Sequence, residues 1–404
     1  MSMVFKISEV QLLQFLLLVL PFVDTLNGYL NNGANESGLS FGIVYRIIIL
    51  TWCIFLLLRH GMLKQDFFSM VLIIFGVVLS FFSSHSSEYF VLLSKLLLPI
   101  LLIFVFKIYT FKGVLPNTFF EKIFSWWNLL FVLSILIPFF LGIGFRTYGE
   151  GSVGFKGFYY SQNDLGIVLI LLFAYSLIRI SRHFSLINLF LTMSSLFCGI
   201  LLGLKSVYII DFVLIIYFMY SKRLTVTNMI KNVMYTILGF FAVYGFYIWF
   251  FEDINGIIKR WEYFLNQSES FFSFFTSSRI DRIPRVFSWL SETNYRGLIF
   301  GTGLEYTKIT SNFISSIQIE MDFFDILFQL GIVGLLGVLS VYFQTVKSSP
   351  APKIYQFIFV IACCYSFFVG HVLESALSGM VFATFVGLIL EKGQNENVDK
   401  NAVY

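Results

Sequence analysis

Between residues 279 and 334 this chain gathers the groups best suited to acid–base and anion chemistry. Arg279, Arg282 and Arg285 stand at i, i+3 and i+6 spacing, and Glu320, Asp322 and Asp325 follow at the mouth of an apolar run. A guanidinium is a planar fork of donors that stays charged, so such a triplet suits phosphate. A diphosphate leaving group needs that neutralisation as its bond to carbon breaks. On a helix the three would form a slanted ridge, with Pro284 limiting its regularity. The plainer alternative is a solvated basic face against anionic headgroups. Among the acids, Glu320 is the most accessible. Partial desolvation at a lipid–water boundary would raise its pKa toward that of a useful base, or tighten a pair with arginine. Asp325 lies about a turn inside the apolar run, where a carboxylate is costly unless paired or facing a wet cavity. Acids that open a helix are also stabilising through its dipole and capping, which is sufficient for Asp322.

Weaker candidates surround this seam. Lys205 lies at a very tight connection between two apolar runs, either as a snorkelling anchor or as a phosphate contact. Asp24 and Asn27 end the first run, and Asn163 and Asp164 open a middle one. His371 and Glu374 share a late turn and read as a structural hydrogen-bonded pair. Neither a Gly-rich phosphate loop nor an Asp-x-Asp metal motif occurs in the loops, so a nucleotide-sugar enzyme is disfavoured.

The elements that must position these groups are membrane helices. Of 404 residues, 58% are hydrophobic and only 12% charged, with mean hydropathy +0.83. A soluble domain carries about twice that charge fraction. The net charge of +4 does not indicate nucleic-acid binding; its distribution matters more. The four cysteines all lie in apolar runs without metal-ligand spacing, so no disulfide framework, zinc site or cofactor is expected.

The fold class is therefore all-α, a polytopic bundle of about twelve spans. These are expected at 10–26, 41–58, 67–83, 89–106, 123–143, 163–180, 185–203, 206–221, 230–250, 322–345, 354–370 and 373–390. The first reads as a retained span rather than a removed signal peptide. A long extracytoplasmic loop, 251–321, separates spans nine and ten. Its stretch 257–275, which mixes aromatics with charges, reads as an interfacial amphipathic helix. The tail 391–404 reads as disordered and cytoplasmic. Arg59, Lys64, Lys107, Lys112, Lys122, Arg179, Arg182, Lys222, Arg223, Lys231, Lys347 and Lys353 follow alternate spans, which places both termini in the cytoplasm. Arg146 and Lys156, and the cations of the long loop, fall on the outer side and ask for a functional explanation.

These residues resemble the O-antigen polymerase and O-antigen ligase-like superfamily of bacterial polysaccharide assembly. Its ligase motif has a His, an amide or Ser, nine residues, Gly, two residues and a small residue. Here Glu320 and Met321 are followed by nine residues, Gly331, two residues and Gly334, with Glu320 in place of the His. Arg285, Trp289 and the glycine-bearing turn 297–303 are similar to the family's arginine segment. The stretch 160–166 with Asn163 resembles the start of its middle helix, and Lys205 with Ser206 its helix break. Arg146 and Gly157 fit an Arg-x10-Gly pattern of polymerase outer loops.

The resemblance implies a GT-C-like, metal-independent, inverting glycosyl transfer at the outer face of the bacterial cytoplasmic membrane. Undecaprenyl-diphosphate-linked oligosaccharide repeat units would be joined into capsular or exopolysaccharide chains. Glu320, with Asp322 and Asp325, would carry catalysis. Arg279, Arg282, Arg285, Arg146 and Lys205 would hold the diphosphate, with Asn163 and Trp289 in support. Membrane lipid, a flippase and a chain-length regulator are the implied partners. A ligase acting on a final acceptor, or a lipid-linked oligosaccharide flippase, remain alternatives.

Overall fold

A computed structural model describes residues 8–31, 40–82, 87–148, 153–220, 251–268, 270–310 and 318–402. Backbone in lipid must satisfy its own polar groups, and long apolar runs do so as helices. α1 (Glu9–Asn31), α2 (Phe41–His60), α3 (Lys64–Phe81), α4 (Ser87–Phe111), α5 (Phe119–Phe140) and α6 (Gln162–Arg182) come first. α7 (Leu186–Leu202) and α8 (Lys205–Tyr220) follow. Then come α9 (Phe251–Gln267), α10 (Phe271–Phe275), α11 (Ile283–Glu292), α12 (Arg296–Phe300) and α13 (Glu305–Thr310). The last are α14 (Asp322–Lys347), α15 (Lys353–Phe368) and α16 (Ala376–Ala402). Among the described residues the only β pairing is an isolated bridge between Arg146 and Phe155.

Among the described residues eight helices are long and apolar enough to cross a bilayer: α1 to α6, α14, and α16 as far as Gln394. The expected twelve spans are not all of membrane length. α7 and α15 have 17 and 16 residues, and at ~1.5 Å per residue they fall short of a hydrocarbon core ~30 Å thick. α8 is described over 16 residues, as far as Tyr220. The expected span 230–250 lies outside the described residues. The tail also departs from expectation, since α16 continues to Ala402. Three contacts anchor its extension: Phe120 N donates to Glu391, Lys392 pairs with Glu121, and Gln394 donates to Thr110 O.

Burial ranks the helices. Within the spanning windows, 89% of α16 and 72% each of α4 and α6 are buried, against 28% of α3 and 33% each of α1 and α2. The first three are the core, and the others turn Phe15, Phe22, Leu58, Phe67 and Phe75 outward, as lipid-facing surfaces do. α3 and α14 approach closely because glycines line their seam. A Cβ on Gly76 would lie 2.8 Å from both Gly334 Cα and Leu330 O, so only small residues permit this crossing.

The two ends differ in chemistry. At one, Glu9 meets Arg59, His60 and Tyr109, and the buried pair Lys107–Asp66 ties α4 to α3. Lys122, Arg179 and Arg182 belong to this basic end. The other end brings together Asp24, paired with Arg46, the start of α6, the α15–α16 turn and helices α9 to α13. Glu320 lies there. Where one amphipathic helix is expected over 257–275, the structure has the amphipathic α9, ending at Gln267, and a separate short α10; Arg260 on α9 stacks 3.6 Å over the Tyr148 ring.

Candidate functional site

Glu320 precedes α14 with φ of +66°, a left-handed conformation that a glutamate rarely adopts. Such strain costs about 1–3 kcal/mol and persists only where surroundings enforce it. The enforcing groups are visible. Arg282 Nη1 donates to Gln318 O at 2.8 Å. Asp325 accepts from Ile319 N and Met321 N, both at 2.9 Å, and from Tyr306 Oη at 2.7 Å. Gly370 closes the other side, where a Cβ would meet Glu320 O at 2.3 Å. The 318–319 and 320–321 peptides are thereby pinned.

Asp322 does the same for the facing turn. It accepts from His371 N at 2.7 Å, from Val372 N and Leu373 N at 2.8 Å, and from Ser366 Oγ at 2.7 Å. His371, with φ of +60°, is the second strained residue of the site. Asp322 and Asp325 are thus brought beside Glu320, but both are buried and their oxygens are occupied by structural donors. They act as supports for Glu320 and His371, and the carboxylate open to chemistry is Glu320.

Glu320 Oε2 accepts two bonds from Arg279, from Nε at 3.0 Å and Nη2 at 2.8 Å. His371 Nε2 lies 4.0 Å from the same oxygen, an ion-pair contact rather than a hydrogen bond. His371 Nδ1 is 3.3 Å from Asp164 Oδ1, and Ser375 Oγ donates to Asp164 Oδ2 at 2.6 Å. The order is Asp164, His371, Glu320, Arg279. Burial opposes ionisation of Glu320, yet His371 and Arg279 outweigh it and hold the carboxyl at about 2. Burial also disfavours imidazolium, but Asp164 and Glu320 raise His371 to about 10. At neutral pH the array is fully charged. His371 was expected to pair with Glu374; instead Glu374 is turned inward, accepting from Gln329 Nε2 at 3.3 Å. Burial, then the charges of Asp325 and Asp322, push the Glu374 carboxyl well above the usual carboxylate range.

Behind the site α14 is broken at Gly331, with φ +68° and ψ −179°, a conformation essentially confined to glycine. A Cβ there would meet Ile299 O at 2.2 Å. Carbonyls near the break find partners in the 297–303 turn: Thr302 N donates to Phe328 O at 2.7 Å and Gly303 N to Gln329 O at 3.2 Å. The turn therefore completes hydrogen bonding that the interrupted helix leaves open.

The remaining expected residues divide. The arginine triplet is not one ridge, because a 3-10 turn at Ile280–Arg282 precedes α11. Arg279 reaches Glu320, Arg282 holds backbone, and Arg285 is exposed. Trp289 packs against the small apolar cluster of Val286, Leu290 and Phe328. Lys205 Nζ donates to Phe274 O at 2.6 Å and lies 4.0 Å over the Phe274 ring. Its Nζ shares the Phe264 ring with the Arg260 guanidinium, at 5.9 and 5.0 Å from the centroid. Arg146 is exposed on its loop, whose Tyr148 is the residue that contacts Arg260. Asn163 contributes its backbone carbonyl to Tyr365 Oη at 3.0 Å.

Sequence reasoning missed the coupling of Asp164 to His371, and the Tyr306–Gln329 pair behind Asp325. No spacing rule links positions 164 and 371. The isolated polar cluster of His371, Glu374 and Ser375 beside Gly370 was the available signal. Among the described residues no cluster of three or more His, Cys, Asp or Glu has metal-site geometry. Comparison with protein-family models, curated proteins and solved structures found no match, so the functional reading rests on this geometry.

Proposed function

We propose that this protein transfers glycan between undecaprenyl-diphosphate-linked oligosaccharides, polymerising repeat units at the outer face of the bacterial cytoplasmic membrane. The observation that carries the reading is Glu320, held in a strained conformation between Arg279 and the His371–Asp164 pair. A carboxyl at about 2 is a feeble base while Arg279 holds it. A donor diphosphate is a better partner for Arg279, with Lys205 beside it. As the guanidinium turns to phosphate, Glu320 loses its two short hydrogen bonds and its basicity rises. The base is thus switched on by the substrate it serves.

The acceptor hydroxyl then gives its proton to Glu320 while its oxygen bonds to the donor anomeric carbon. The bond from that carbon to the diphosphate breaks on the opposite face, and undecaprenyl diphosphate leaves with the electron pair. Configuration is inverted. Protonated His371, fixed by Asp164, keeps Glu320 oriented and stabilises its charge before transfer. On this reading the bundle is GT-C-like, and a flippase and a chain-length regulator are its partners.

A positioned base contributes about 10²–10⁴-fold to rate. Membranes supplied with purified lipid-linked repeat units should make long chains with wild type and almost none with Glu320→Gln. Polymer from that variant at wild-type rate would remove Glu320 from the mechanism. Absence of polymer from folded wild type, with transfer to a final acceptor instead, would replace the polymerase with a ligase.

A further inference from the structure

The basic end holds a cavity of about 390 Å³ between α5, the end of α6 and the start of α15, at the end of the bundle opposite Glu320. Its lining includes Lys122, Arg179 and Arg182, and its carboxylate, Glu121, is paired with Lys392 at 2.5 Å. Lys392 also reaches Glu391 at 3.2 Å. Among the described residues no carboxylate pairs with Lys122, Arg179 or Arg182, so three cations face one concavity unneutralised.

Two of these cations are already oriented. Arg179 Nη1 donates to Ser125 Oγ at 2.9 Å, Ser125 lies 3.0 Å from Tyr175 Oη, and that phenol donates to Glu121 O at 3.0 Å. These bonds fix one edge of the guanidinium, and among the described residues its other donors meet no acceptor. Arg182 stacks 5.6 Å over the ring of Tyr355, itself buried. Trp126 stands at the rim, half-exposed, where an amphipathic ring meets headgroups and acyl chains together.

We propose that this cavity is a phosphate-binding site that takes the headgroup of an anionic phospholipid. Planar guanidinium donors match phosphate oxygens, and basic pockets between membrane helices suit anionic headgroups. The exposed apolar flank of α5, including Leu133 and Ile137, offers the acyl chains a surface continuous with the rim. The rest of the basic end does not provide this. Lys347 is a cation without a place in the lining, and it marks the difference between a site and a generally positive face.

The test uses the full chain in a neutral detergent, titrated with dioleoylphosphatidylglycerol, dioleoylphosphatidylcholine or inorganic phosphate, with bound lipid counted by native mass spectrometry. Phosphatidylglycerol should bind in preference to phosphatidylcholine. Arg182→Gln and Lys122→Gln, both at exposed positions, should each weaken it at least about tenfold, as expected when a charge-assisted hydrogen bond is removed. Lys347→Gln should leave it unchanged. Equal losses in all three variants, or none, would overturn the site. Displacement of lipid by inorganic phosphate at comparable affinity would overturn the lipid assignment and leave a site for soluble phosphate.

Discussion

Asp322→Asn separates support from chemistry. Asp322 collects four hydrogen bonds, three of them from consecutive backbone amides at His371, Val372 and Leu373. An asparagine keeps one carbonyl oxygen. Placed where Oδ2 stands, it retains Ser366, Val372 and Leu373, and its NH₂ group then opposes the His371 N–H, donor to donor. One buried donor left unpaired costs about 1–3 kcal/mol, and three bonds falling from charged to neutral strength lose roughly 0.5–1 kcal/mol each. The sum is about 3–6 kcal/mol, a large share of a typical stability of about 5–15 kcal/mol. At about 2 °C per kcal/mol, as for a large chain, Tm should fall by roughly 6–12 °C. Tryptophan fluorescence during a heating scan in detergent reads this, with scan rate fixed because such unfolding is often irreversible. Glu320→Gln, by contrast, alters a carboxylate about a third exposed, so after the discount for solvent screening its Tm should fall by less than that of Asp322→Asn. Polymer formation should fall in both variants. If Asp322→Asn kept the wild-type Tm while losing activity, Asp322 would belong to the chemistry and its assignment as a support would be wrong.

Two further outcomes are expected. Gly331→Ala should destabilise the protein by about 2–6 kcal/mol, combining a glycine-only backbone conformation with a clash against Ile299 O. Gly113→Ala has positive φ without neighbours within 4 Å and should cost only about 1–2 kcal/mol, so equal Tm losses would deny the close crossing at the break. The Glu320–His371 pairing should be pH-dependent with a definite sign. Glu320, depressed from 4.5, contributes stability above that value that is lost as pH falls through about 2. His371, raised from 6.5, contributes stability below that value that is lost as pH rises through about 10. The Tm difference between wild type and His371→Gln should therefore be largest near pH 4.5–6.5 and shrink toward pH 10. A constant difference across that range would dissolve the pair.

Much of the architecture was legible from local pattern, because a membrane helix is specified by its own apolar length and needs no distant partner. The runs that became α1 to α6 and α14 are read that way, as is the amphipathic α9. Length also explains the shortfall, since α7 and α15 are mainly apolar but short. At the site, the meeting of Arg279 with Glu320 was within reach of charge complementarity across one loop. Residue type alone could not separate Glu320 from Asp322 and Asp325. Position along the run singles out Glu320 as the accessible acid, but that two of the three carboxylates are taken up by backbone amides is known only from the fold.

The sequence by itself determined that the chain is helical, apolar and charged mainly between its apolar runs, and that residues 279–325 concentrate cations and acids. Those properties follow from side chains and their neighbours along the chain. Only tertiary structure decided that His371 turns to Asp164 rather than Glu374, that α14 breaks at Gly331 against Ile299, and that α16 stays helical beyond Glu391. Each depends on a partner far away in the chain, and the energy of such a contact is defined only once packing has brought both groups together.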